Sequence, residues 1–350
     1  MATMDLWRRT MDKHRLKKLF KRWELYLLLM LVAEILIFGA INPKFLLPRV
    51  LLGSINDFMS ICIISLFVTF VLITGGMDIQ AGAIVGLTSI SIGVLWNDAG
   101  LNIWLASGIG LLIGALCGML SGFFVAYTGV QPMVVTLGGS FLYSGLALAV
   151  TKLSATEAYK GISGFPEAFT RIAKGRIDKV IPYQLFIFLG LILIAYILLH
   201  RTKYGRKVFL CGVNRNAASY CAIKTKRVIM STYMLSGMSA SLAGILITAY
   251  LGTAKADLGK ELTLPIITAV VLGGTSNLGG SGSVIGTALA ALLIGVLRFG
   301  LSMAGVSTQY LDIPVGVLLV ASVAVRFAMQ NSRVQIFFSR LFHKRETIRK

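Results

Sequence analysis

The sequence predicts an all-α polytopic membrane protein of about ten transmembrane helices, with both termini in the cytoplasm. Three observations carry that expectation. Of 350 residues, 56% come from the AVILMFWYC set and only 14% are charged, against roughly 45–50% and about 25% in soluble domains. Apolar runs recur along nearly the whole chain, most of them long enough to cross a hydrocarbon core of about 30 Å at about 1.5 Å per residue. The cations gather outside those runs: of 34 Lys and Arg, eight lie in residues 8–22, eight in 201–227 and seven in 326–350. That composition leaves too little polar surface to cover soluble domains, and it excludes disorder, a coiled coil, a collagen-like chain and a disulfide-rich scaffold.

Taken in order, residues 1–22 form a basic segment suited to an amphipathic helix on the cytoplasmic membrane surface. No small-residue cleavage site follows a short apolar stretch, so the first run, Trp23 to Ile41, is expected to stay as a helix. Further runs follow at about 55–74, 79–96, 101–126, 131–151, 183–200, 228–251, 264–280, 282–303 and 308–328. Two of them are unusual. Residues 79–96 are short and contain Gly82, Gly86 and Gly93, and 264–280 contains Pro265 and ends among glycines. Both read as broken or re-entrant helices, which need surrounding protein or a cavity. Six runs before residue 201 and four after it place the three basic segments on one side, as the positive-inside rule requires. The loop 152–182 is the imperfect feature, an outer loop with six Lys/Arg against three acids. The chain thus divides into a basic cytoplasmic N-terminus (1–22), one transmembrane domain (23–328) with a cytoplasmic loop at 201–227, and a basic tail (329–350).

The net charge of +20 follows topology and contact with anionic lipid, not nucleic acid. Cys62 and Cys117 lie inside apolar runs, and Cys211 and Cys221 fall in the basic loop, where thiols stay reduced. His14, His200 and His343 all adjoin basic clusters. No zinc spacing is present, so neither a disulfide nor a metal site is expected.

The motifs of enzymes are missing. The phosphate-binding G-x-x-x-x-G-K-[ST] pattern does not occur, since Gly259-Lys260 is followed by Glu261 and lacks the upstream glycine. Gly280, Gly282 and Gly286 are spaced one residue too widely for a dinucleotide fingerprint. Membrane-embedded charge is scarce: Glu34 lies mid-run in the first run, Asp57 near the start of the second, Arg298 in the ninth and Asp312 near the start of the tenth. Only Glu34 sits clearly deep, and no His accompanies it, so the proton relay of an ion-coupled carrier is not evident.

Two patterns remain. Gly110, Gly114, Gly118 and Gly122 recur every four residues and line one helix face, which lets a second backbone approach closely. In the basic loop, Asn214 is placed to cap a short helix from Arg215 to about Ile223. Ala217, Ala218, Cys221 and Ala222 would give that helix a small, smooth face suited to docking in another subunit.

These residues together resemble the permease subunits of bacterial ATP-binding-cassette importers for ribose-type sugars. Thr202, Gly205, Arg206, Gly212, Asn214, Ala217 and Ala218 match the family's T-x-x-G-R…G-x-N-x-x-A-A segment. Gly75, Gly76, Asp78, Ile79 and Gly82 match its G-G-x-D-I-x-x-G stretch. Leu264, Pro265, Ala269 to Gly274, Gly279, Gly280, Gly282, Ser283, Gly286 and Thr287 match a third. The matches run in order from about residue 23 to 328. Within that family the stretches 38–43, 161–170 and 303–306 are most similar to the D-type branch that imports autoinducer-2. One departure stands out: the family's cytoplasmic segment usually ends in Gly-Ile, whereas this chain has Ala222-Ile223, implying a differently shaped helix end.

The resemblance implies an inner-membrane pore subunit that needs no cofactor of its own. A partner ATPase would bind ATP and dock on the 201–227 loop through Gly205, Arg206, Gly212, Asn214, Ala217 and Ala218. A related C-type permease would complete the pore, and a periplasmic binding protein would deliver a small, neutral, sugar-like ligand. A ribose-type sugar is the alternative solute.

Overall fold

Helices occupy the apolar runs close to the bounds that hydropathy sets. The computed structural model describes residues 23–156 and 160–330, with side chains through Ala324. The N-terminal segment 1–22 and nearly all of the tail 329–350 lie outside the described residues. Among those described, seven helical segments are long and apolar enough to cross a membrane. They contain α1 (Trp23–Ile41), α3 (Ile55–Ile73), α5 (Ile103–Phe123), α6 (Pro132–Thr151), α8 (Tyr183–Tyr196), α11 (Thr225–Leu251) and α13 (Val284–Met303). Helices α5 and α8 each continue through a short π turn, to Thr128 and Arg201.

The two runs that looked irregular form shorter helices, and the last run is described with side chains only as far as Ala324. Helix α4 spans Ala81–Asn97 and α12 only Thr263–Leu272, while α14 covers Asp312–Gln330. At about 1.5 Å per residue, the ten residues of α12 reach only about half-way across a hydrocarbon core. The remaining elements sit at the ends of the bundle: α2 (Pro48–Gly53), α7 (Glu167–Lys174), α9 (Lys203–Val213) and α10 (Arg215–Tyr220). The loop 152–182 is more ordered than a charged connection would imply. Ile162–Ser163 pairs antiparallel with Thr253–Ala254, and Arg176–Ile177 with Ile181–Pro182.

Helix α3 is the centre of the bundle, with all of its residues except Asp57 buried. Helices α11, α13, α12, α8 and α9 pack around it. By contrast, α1, α6 and α8 leave much of their leucine and phenylalanine surface exposed, including Leu36, Phe141 and Leu193. Such faces suit lipid, where no water competes for the apolar side chains. The two ends of the bundle are distinct. At one end the Gly280 amide donates to the Ile73 carbonyl (2.8 Å) and the Ser283 hydroxyl donates to Glu24 (3.0 Å). At the far end the Tyr250 hydroxyl donates to Asp57 (2.7 Å), and Arg298 pairs with Asp312 (2.6 Å).

Candidate functional site

The segment 201–227 folds onto the first of those ends. The Thr202 hydroxyl accepts from the Gly205 amide (3.2 Å) and donates to the Leu198 carbonyl (2.6 Å), which starts α9 directly after the π turn. A side chain at Gly205 would collide with the carbonyls of Leu198 and Leu199. A side chain at Gly212 would meet the Ile73 carbonyl and the Gly280 amide. Both glycines therefore let α9 lie against the bundle at backbone distance, and Val208 and Cys211 bury their side chains between them. The Asn214 side chain accepts from the Ala217 amide (3.0 Å) and starts α10. Arg215 then reaches the Ala126 carbonyl at the end of α5 (2.7 Å).

Helix α10 ends at Tyr220, earlier than the expected Ile223, and its end is a Schellman turn. The Ile223 amide donates to the Ala218 carbonyl (3.2 Å) and Ala222 has φ +58°. Glycine is the usual occupant of that left-handed position. In this chain alanine carries that position.

The structure divides the six positions expected to meet the ATPase between two roles. Gly205, Gly212 and Ala218 point into the bundle, whereas Arg206, Asn214 and Ala217 are exposed. Ala218 is buried, at 4% exposed, and so is not part of a free docking face. The free surface is formed instead by Tyr220, which is 91% exposed, together with Val213, Leu210 and Leu278. Leu278 joins this group because the Gly279-Gly280 turn abuts Val213. Sequence spacing gave no sign of these four, because they come from three separate elements.

The glycine stripe of α5 packs chiefly on α11. Gly114 faces Gly237 and Ser241, Gly118 faces the Tyr233 carbonyl and Gly122 faces Met230, while Gly110 meets Ile92 and Thr88 of α4. A hydroxyl seam runs beside this contact. Thr88 bonds Ser241 (2.7 Å), Ser89 bonds Thr248 (2.6 Å), and the Ser236 hydroxyl donates to Asp78 (2.5 Å).

Asp78 belongs to the stretch 74–80 that joins α3 to α4, and it is 1% exposed. It also accepts from the Gln80 amide (3.1 Å), and Gln80 accepts in turn from Ser121 (2.6 Å). In the sequence Asp78 falls between the apolar runs 55–74 and 79–96, with nothing but the Gly75-Gly76 pair to signal its burial. Elsewhere, one carboxylate oxygen of Glu34 is buried without a hydrogen-bond partner among the described residues.

The model of the family described as "Branched-chain amino acid transport system / permease component" matches residues 50–323, from α2 to α14. The chain belongs to this permease family. The permease is 42% identical over 329 residues to the autoinducer 2 import system permease protein LsrD of Klebsiella pneumoniae, covering 93% of this chain and 98% of that one. It is 43% identical over 319 residues to LsrD of Salmonella typhimurium, covering 91% and 96%. With LsrD of Photorhabdus laumondii the identity is 43% over 304 residues, covering 87% and 91%. The permease is a multi-pass membrane protein, and its exposed end surface at Tyr220, Val213 and Leu278 belongs to one component of a transport system.

Proposed function

We propose that this chain is the transmembrane subunit of an ATP-driven importer that carries autoinducer-2 across the bacterial inner membrane. What supports the solute is identity above 40% over about nine-tenths of the chain with permeases named for that import. What supports the coupling is the end surface formed by α9, α10 and the Gly279-Gly280 turn. In this reading α1, α3 to α6, α8 and α11 to α14 make ten passages, counting the short α4 and α12. Both termini and the 201–227 segment then lie in the cytoplasm, as the basic clusters favour.

The chain supplies the pore and no ATP site. A cytoplasmic ATPase docks on Tyr220, Ala217, Arg206 and the neighbouring apolar side chains. Gly205, Gly212, Asn214 and Ala218 hold that surface rigidly to α3, so that motion of the ATPase reaches the centre of the bundle. ATP shifts the pore only through contacts that differ between its states, and this end surface provides them. A related C-type permease completes the pore, and a periplasmic binding protein delivers the ligand at the far end. Deleting the gene tests the solute. Autoinducer-2 is expected to persist in the culture medium while growth on ribose is unchanged. Intact signal removal with lost growth on ribose would assign the permease to ribose instead.

A further inference from the structure

Residues 252–262 leave α11 at the far end of the bundle and turn back into it as largely non-helical backbone. Ala254 packs against Gly93, Ala256 against Gly86 and Gly259 against Gly82. Those glycines are eleven residues apart on α4, so the segment descends roughly 16 Å along the helix. Irregular backbone at such depth is tolerated where it is buried in protein or lines a cavity. Here one side of the segment is buried on α4 and the other side is the wall of a cavity. That cavity has a volume of about 590 Å³, is open to the outside and is also lined by Asp57, Arg298 and Ser302. A neighbouring cavity of about 490 Å³ shares Lys260 and Glu261 and continues to Ile79, beside Asp78.

The charge around the larger cavity is balanced. Asp57, Asp257 and Glu261 face Lys255, Lys260 and Arg298. Asp57 and Arg298 are engaged by Tyr250 and Asp312. The side chains of Lys255, Asp257, Lys260 and Glu261 have no hydrogen-bond or ion-pair partner among the described residues. Ionised side chains at membrane depth are costly, and those that line a cavity mark solute pathways. Three acids with three bases favour neither a cation nor an anion. They match a neutral molecule whose hydroxyls donate to carboxylates and accept from ammonium groups, and the volume lies within the roughly 300–1,000 Å³ of small-molecule sites.

We infer that this cavity is a subsite for a small neutral polyol, lined by Asp257, Lys260 and Glu261, on the route from the far end of the bundle to the 74–80 stretch. The choice of polyol rests on the import reading above; the position of the subsite does not. The test is protection of Ser302→Cys, placed on the cavity wall, in a Cys221→Ser background. Intact cells making the complete transporter are treated from outside with a membrane-impermeant maleimide, with and without millimolar autoinducer-2 or D-ribose. Labelling slowed at least threefold by either polyol, and not by glutamate or choline, is the expected result. Protection by ribose alone keeps the subsite and moves the solute. Labelling unaffected by both polyols, or slowed equally by the charged solutes, would overturn the inference, as would no labelling at all. Asp257→Asn with Lys260→Gln gives an independent reading. Protection of Ser302→Cys should vanish in that background, and its survival at full strength would also overturn the assignment.

Discussion

The Ser236 hydroxyl of α11 donates a 2.5 Å hydrogen bond to the Asp78 carboxylate, 158 residues away in sequence. It ties the short stretch between α3 and α4 to the longest helix of the bundle. Both groups are buried, with Asp78 1% and Ser236 0% exposed, so neither has water as an alternative partner. Removing the hydroxyl leaves an acceptor unsatisfied, which costs about 1–3 kcal/mol. Ser236→Ala is therefore expected to lower the unfolding temperature of the detergent-solubilised permease. Ser154→Ala, in the loop at the far end, is expected to leave it near wild type.

Gly118 tests the α5–α11 contact. A side chain there meets the Tyr233 carbonyl, and overpacking costs typically about 1–3 kcal/mol. Gly118→Leu should reduce the folded yield in fluorescence-detected size exclusion. Leu112→Phe, at a site 64% exposed on the same helix, should give wild-type yield.

Ala222 holds a left-handed conformation at φ +58°. An L side chain pays roughly 1–2 kcal/mol for that geometry. Ala222→Gly removes the strain, although glycine loses more backbone entropy on folding. The expected net effect is a rise in thermal stability, and a fall would mean that the Schellman turn is not populated in the membrane.

Tyr220 and Ala218 separate docking from folding. Tyr220→Glu changes a side chain that touches little of this chain, so insertion and yield should be normal while pull-down of the ATPase subunit and uptake fall at least tenfold. Ala218→Glu instead forces a charge under α10, so yield should fall with uptake. Wild-type uptake in Tyr220→Glu would remove this surface from the coupling mechanism.

Much of this arrangement was legible in the sequence. Trp23–Ile41 and Pro132–Thr151 follow directly from long, predominantly apolar runs, and the α5 glycines announced a close helix contact through their spacing of four. The Asn214 cap was visible for the same reason: it depends on residues three apart. Asp78, Tyr220 and Leu278 were not legible as a buried acid and a docking surface, because burial and exposure there depend on elements distant in sequence. Residues 255–262 simply fall between the apolar runs 228–251 and 264–280. Only the match of Ala254, Ala256 and Gly259 to the glycines of α4 reveals that one side of the segment packs along that helix.

ATP-dependent uptake tests the central claim most directly. The permease is reconstituted in liposomes with its ATPase and second permease, and labelled autoinducer-2 is presented on the binding protein. The expected result is accumulation that requires ATP hydrolysis inside the coupled system, is unaffected by a protonophore and is lost in Tyr220→Glu. Accumulation that proceeds without ATP and collapses with the protonophore would contradict the account and make the chain an ion-coupled carrier.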